Sequence, residues 1–206
     1  MSLAGEGVVA IWNGIRPEGR AEFYEWHSRE HMPERVAIPG FLRGRRYIAA
    51  QAQPEFFTLY ETVSVSVLSG PDYLARLNSP TEWTRRATQH FTDTSRSLCR
   101  VAVSLGPGAG GWLMTWRYEQ PQPIEPILRE IAEAPGVVGA HLCIADRTAS
   151  GIETEEKKGR PKNAVPAFVI LVEGGADRDT LEAACARISI PGAERGLYRL
   201  QYVQTK

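Results

Sequence analysis

The strongest constraint on this chain is that its pattern of elements runs twice, with a period of about 100 residues. A short apolar run of strand-forming residues, Val8 to Trp12, is matched by Trp112 to Trp116. A helical pattern follows each run, over Gly19 to Ala37 and over Ile124 to Ala134. Both patterns end at a Pro-Gly stop, Pro39-Gly40 and Pro135-Gly136, and each stop leads into a strand, Phe41 to Ala50 and Val137 to Asp146. Third strands follow at Phe56 to Val63 and at Ala167 to Glu173. Helices are then predicted over Pro71 to Asn78 with Pro80 to Phe91, and over Asp177 to Ile188. Final strands run from Ser97 to Leu105 and from Leu197 to Val203. Each half reads β-α-β-β-α-β, the order of a split βαβ unit. Between them lies Gly106-Pro107-Gly108-Ala109-Gly110-Gly111, almost all turn formers.

A four-stranded sheet with two helices on one face leaves its other face bare. The stretch Ser97, Cys99, Val101, Val103, Leu105 is too apolar to stand in water. Two such sheets in one chain can cover each other. The expected fold is therefore α+β: two tandem ferredoxin-like βαββαβ repeats, residues 1–106 and 107–206, forming a pseudo-dimeric α+β barrel with helices outside. The second half differs by a polar insert, Arg147 to Ala164, in which Glu153, Glu155 and Glu156 face Lys157, Lys158, Arg160 and Lys162. Hairpin loops are usually far shorter. The insert is either a solvated excursion or a flap over a pocket.

The segment richest in chemistry is Phe23 to Arg35. At 100° per residue, Phe23, His27, Glu30 and Glu34 cluster on one helix face, flanked by Trp26 and His31. That face packs on the sheet, where Leu or Val would be expected. Burying imidazoles and carboxylates costs free energy unless they are partnered, so a pocket is expected there. Pro33 removes a helical hydrogen bond and predicts a bend or break next to His31. His27 and His31, four apart, are placed to share a metal, with Glu61, His90 or His141 as a third ligand. No HExxH spacing supports this, and no metal site is assigned. Haem ligation by either histidine, general acid-base work by His31, and a merely polar helix edge are the open readings.

Alternation puts Phe41, Arg43, Arg45 and Tyr47 on one face of the second strand, and Phe56, Thr58, Tyr60 and Thr62 on one face of the third. Arg45, Tyr47, Tyr60, Trp12 and Trp26 are the expected substrate-binding residues. Arginines beside aromatics suit an aromatic or carboxylate-bearing ligand, although Arg43, Arg45 and Arg46 also fit an edge of salt bridges. His141 and Cys143 share a strand face but point in parallel, which fits packing better than a reactive pair. His90 fits a helix end. The glycine-rich linker lacks the Lys-Ser/Thr of a phosphate loop.

The run Phe23, Trp26, His31-Met32-Pro33, followed by Ile38-Pro39-Gly40-Phe41, resembles the EthD-like group of the dimeric α+β barrel superfamily. The likeness is best over residues 7–105. His31 falls on that motif's histidine, and the second half has no counterpart to it. The resemblance implies a cavity between helices and sheet. It also implies chemistry of the kind found in lactone isomerases, polyketide cyclases, quinone-forming monooxygenases and haem-degrading enzymes. The expectation is a cofactor-independent enzyme acting on a small aromatic, polyketide-like or lactone compound. His31 moves a proton beside a carbonyl, Glu30 or His27 sets its tautomer, and Arg45 or Tyr60 polarises the carbonyl. A non-catalytic ligand-binding or assembly role is the alternative.

Composition narrows the partners. With 24 basic and 24 acidic residues the net charge is zero, against a general nucleic-acid or membrane-surface binder. No apolar run approaches the roughly 18 residues of a membrane span. No signal-peptide pattern is present. Cys99, Cys143 and Cys185 are scattered and read as reduced, buried thiols of a cytoplasmic protein. Either a monomer or a homodimer is compatible with the repeat.

Overall fold

The computed structural model describes residues 2–158 and 164–206. Eight antiparallel strands close into one barrel: β1 (Gly7–Ile15), β2 (Phe41–Gln51), β3 (Phe56–Thr62), β4 (Phe91–Leu105), β5 (Trp112–Tyr118), β6 (Val137–Ala145), β7 (Phe168–Gly174) and β8 (Glu194–Thr205). Their order around the barrel is β1-β3-β2-β8-β5-β7-β6-β4. The first four strands are thus arranged 4-1-3-2 and the last four repeat that arrangement. The two sheets join where β2 pairs β8 and β4 pairs β6. Closure leaves no sheet edge, which answers the bare apolar face inferred for β4. That strand begins at Phe91, earlier than its pattern suggested, because the preceding helix stops at Thr88.

Alternation along the strands sorts side chains into two environments. Val8, Ala10, Trp12, Tyr47, Phe57, Leu59, Cys99, Leu113, Cys143, Val169, Leu171 and Tyr198 fill the barrel. The opposite faces meet helices. Behind the second half, Met114, Trp116, Ile170 and Val172 pack on Leu128 and Ile131 of α5 (Glu125–Ala132) and on Leu181 and Cys185 of α7 (Arg178–Cys185). Asp177 caps α7 by accepting from the Thr180 N–H at 2.9 Å. Behind the first half lie α1 (Arg20–Trp26), a π-helical turn (His27–His31) and α2 (Met32–Ala37), followed by α3 (Pro71–Asn78) and α4 (Glu82–Thr88). Gly40 and Gly136 take φ of 87° and 77°, which explains a glycine at both Pro-Gly stops.

The barrel interior carries charge at one end. Arg45 donates to Glu61 Oε1 at 2.9 Å and to both Glu173 oxygens at 2.7 and 3.1 Å. Arg43 adds two bonds to Glu61. Ser2 to Ala4 plug this end: the Ala4 N–H donates to Glu61 Oε2 at 2.6 Å, and Ser2 Oγ hydrogen-bonds His141 Nε2 at 2.8 Å. Two arginines face two glutamates, so the buried network is balanced.

This overturns part of the expected site. Arg45, Tyr47 and Trp12 point into the barrel, on the opposite side of the sheet from Tyr60. Arg45 pairs across from Leu59, and Gly44 from Tyr60, so Arg45 and Tyr60 cannot line one space. A register shift between Phe41 and Arg43 also separates those two: Phe41 joins the helix-side cluster while Arg43 turns inward. Trp12 packs on Phe57 at 4.8 Å, beneath the Arg117 guanidinium at 5.1 Å.

Candidate active site

The first helical segment does not break at Pro33. It widens one turn instead. The Met32 N–H bonds the His27 carbonyl, a five-residue step, and α2 begins with Pro33 in its first turn, where a missing N–H is tolerated. The wider turn changes which residues share a face. Side chains four apart stay aligned through it, and those three and seven on from His27 rotate away. Phe23, His27, His31 and Arg35 therefore form one ladder. Phe23 stacks on His27 at 5.0 Å and His27 on His31 at 5.5 Å. Glu30 leaves the expected face and accepts from Thr81 Oγ1 at 2.6 Å at the start of α4. It is not placed to set a histidine tautomer. Glu34 turns to Arg76 of α3, 3.4 Å away.

The ladder faces β1, β3 and β4 across a small enclosed cavity of about 30 Å³. Trp26, His27, His31 and Arg35 form its helical wall; Asn13, Thr58, Tyr60 and Arg96 come from the strands, and Tyr73 and Leu77 from α3. Such a space holds on the order of one or two water molecules. Trp26 lies 4.3 Å from His31 and donates its indole N–H to Thr84 at 3.1 Å, so the imidazole is wedged between aromatic rings.

Charge fixes the state of several groups. Burial first, then the charges of Arg46 and Arg35, hold the His27 imidazole well below the usual histidine range, so it is neutral. Arg46 Nη1 lies 3.3 Å from His27 Nδ1. An arginine can only donate, so Nδ1 accepts and the proton sits on Nε2. His27 is thus a donor with its basic nitrogen already engaged. Burial raises the Tyr60 phenol above its ordinary value, outweighing Arg35, and keeps it protonated. Tyr60 Oη and Arg35 Nη1 are both buried without a hydrogen-bond partner among the described residues. They are two donors on the wall of one cavity.

The polar insert supplies the remaining wall. Asp146 caps α6 (Arg147–Gly151) through the Ala149 N–H at 2.9 Å. Lys157 then ties the loop by donating to the Ser150 and Ile152 carbonyls at 2.8 and 2.6 Å. The Glu156 N–H reaches the Leu77 carbonyl at 3.1 Å, and its carboxylate pairs with Arg35. Of the two readings of the insert, the described part follows the flap; residues 159–163 of that reading lie outside the described residues.

Four of the expected site residues therefore meet at the cavity: His31, His27, Trp26 and Tyr60. Glu30, Trp12, Arg45 and Tyr47 do not. Arg35, Arg96 and Glu156 were missed. Arg35 continues the four-residue spacing from His27 and His31, a signal visible in the sequence. Glu156 lies more than 120 positions away; the length of its insert pointed to a flap but not to Arg35 as its partner. Among the described residues no three His, Cys, Asp or Glu side chains cluster to hold a metal, and Glu61 and His141 lie inside the barrel rather than near the histidine pair.

No family model matches this chain, and no curated protein matches it. Solved structures do. An anthrone oxidase-like protein superposes with a TM-score of 0.62 at 11% identity, covering 100% of this chain and 95% of its own. A candidate monooxygenase from Fusobacterium nucleatum gives 0.58 at 8% identity, covering 99% and 96%. A candidate chlorite dismutase, TA0507, gives 0.53 at 12% identity, covering 96% of each chain. At these identities the likeness establishes architecture alone: the chain has the dimeric α+β barrel fold, an eight-stranded antiparallel barrel with helices outside.

Proposed function

We propose that this protein is a small-molecule enzyme of the EthD-like kind, in which His31 takes a proton from a carbon beside a carbonyl of an aromatic, polyketide-like or lactone compound. The observation that carries this reading is the convergence of His31, the Tyr60 hydroxyl and the Arg35 guanidinium on one buried cavity. Proton abstraction beside a carbonyl creates an enolate oxygen, and Tyr60 and Arg35 each bring a buried donor without a partner among the described residues to receive it. Arg35 takes the polarising role expected of Arg45. Wedged between Trp26 and His27, His31 is held in one orientation, as general-base catalysis requires. The names of the structural neighbours, an anthrone oxidase-like protein and a candidate monooxygenase, lie in the same range of chemistry.

His27 is not set up to ligate a haem: Arg46 donates to its Nδ1, so its proton sits on Nε2 and neither ring nitrogen offers a free lone pair. Titration with haemin is expected to give no His27-ligated Soret band. The proposal itself is tested by hydrogen–deuterium exchange at the acidic carbon of anthrone- and lactone-type compounds. Exchange catalysed by the protein and reduced about 10²- to 10⁴-fold by His31→Ala supports it. Exchange that survives His31→Ala at the original rate refutes the role of His31.

A further inference from the structure

The Glu156 carboxylate stands between two spaces. On its inner side is the cavity with His31, Tyr60 and Arg35. On its outer side is a cleft of about 240 Å³, lined also by Arg85, Lys158 and Thr84, between α4 and the flap. Together the two spaces approach the lower end of the roughly 300–1,000 Å³ typical of ligand pockets; separately, the inner one admits no substrate. Arg35 is almost wholly buried, its Nη2 is taken by Glu156, and its Nη1 has no partner among the described residues. Arg96 lines the same cavity, held by Tyr73 Oη at 2.7 Å. With His27 and Tyr60 neutral, the described charges on the cavity wall are two arginines against the single carboxylate of Glu156.

We infer that Arg35 is an anion-recognition residue, that Glu156 occupies its subsite as an internal stand-in, and that the ligand is an aromatic compound bearing a carboxylate or phenolate that displaces Glu156 from Arg35. This deepens the site reading above and rests on it. A guanidinium with one fork filled and one empty is suited to bidentate pairing with an incoming carboxylate. Trp26, Phe91 and Tyr73 supply the aromatic surround. The displaced Glu156 swings into the outer cleft, where water, Arg85 and the Lys158 that also holds Glu155 receive it. Its exchange for a ligand anion leaves the buried charge unchanged, so no extra charge is desolvated.

The test compares 1-naphthoate with its neutral isostere 1-naphthamide, followed by calorimetry. The wild-type protein is expected to bind naphthoate at least 10-fold more tightly than the amide. Glu156→Gln, which removes the competing charge, is expected to tighten naphthoate about 10-fold further and leave the amide within 2-fold. Glu153→Gln, at an exposed position of the same loop that lines neither space, is expected to change neither. Arg35→Gln is expected to abolish the preference, and Arg35→Lys to restore part of it. Should the Arg35 variants fail to fold, the naphthoate-to-amide ratio in Glu156→Gln decides alone. An amide that binds as tightly as naphthoate, or a naphthoate affinity unmoved by Glu156→Gln, overturns the anion subsite while leaving the His31 site standing. Binding of neither compound to any variant overturns both readings.

Discussion

Arg45 offers the sharpest physical test of the barrel. Its guanidinium is 1% exposed and lies between two carboxylates that are both fully buried. Arg45→Met keeps a long unbranched side chain and deletes the charge. Glu61 would retain Arg43 and the Ala4 N–H. Among the described residues, Glu173 would retain only the Gly110 N–H at 2.9 Å and His141 at 3.5 Å. The uncompensated charge therefore falls on Glu173, and stranding one partner of a buried pair costs about 3–5 kcal/mol. The same carboxylate sets a pH dependence, to which His141 and Arg45 both contribute. Burial alone would raise the Glu173 carboxyl, but contact with His141 and the Arg45 charge more than reverse this and hold it at about 2, against an ordinary 4.5. That gap is worth roughly 3 kcal/mol. Because the folded value lies below the unfolded one, this stabilisation is complete above the ordinary glutamate range. It is lost as pH falls from about 4.5 towards about 2. Urea unfolding at pH 7 should show Arg45→Met losing about 3–5 kcal/mol with little change in m-value, and acid unfolding should begin at higher pH. The double variant Arg45→Met/Glu173→Met should cost less than the sum of its singles by more than about 1 kcal/mol. A loss below about 1 kcal/mol for the single variant, or strict additivity, would refute the account of the interior as one coupled network.

Two further predictions concern the flap and the thiols. Asp146→Ala removes the cap of α6 and should cost about 1 kcal/mol, felt locally as faster amide exchange over residues 147–158. If exchange there stays at the wild-type rate, α6 does not hold the flap. Burial pushes the Cys143 and Cys185 thiols up to about 12 and the Cys99 thiol well above its usual value. A thiol reagent at pH 8 should therefore label none of the three in the native protein and all of them in denaturant.

The repeat of about 100 residues was enough to read the closed barrel, because period-2 and helical patterns recur in the same order and each half carries an apolar face that only another sheet can cover. The histidine ladder was legible for a similar reason: imidazoles on the sheet-facing side of a helix demand a pocket. Three things were not. Alternation along β2 groups Arg45 with Tyr47 but does not say which group faces the barrel, so Arg45 was paired with Tyr60 across the thickness of the sheet. A regular 100° turn was assumed through His27 to His31, and the π turn rotated Glu30 and Glu34 off the face while carrying Arg35 onto it. Finally, Glu156 reaches Arg35 only because an insert from the other half folds over α3, a contact no local pattern encodes.

The two halves share a framework and divide its uses. Glu61 and Glu173 occupy matching inward positions on β3 and β7, so Thr58 and Tyr60 of β3 correspond to Ile170 and Val172 of β7. The second half fills its helix layer with hydrocarbon, while the first places His27, His31 and Arg35 opposite hydroxyl groups. A polar layer of this kind gives up packing energy that the second half keeps, which is the expected cost of a binding site. His31→Leu moves the first half towards the chemistry of the second at nearly constant volume. If His31 is retained for reaction, the variant should keep its stability to within about 1 kcal/mol of wild type while proton exchange at the substrate carbon disappears. Were His31 instead a structural member of the ladder, the same substitution would cost about 3 kcal/mol or more, as losses from a buried polar network do. Denaturant midpoints and exchange rates measured on the one variant separate the two cases, and a large loss of stability with exchange intact would assign the histidine to the scaffold.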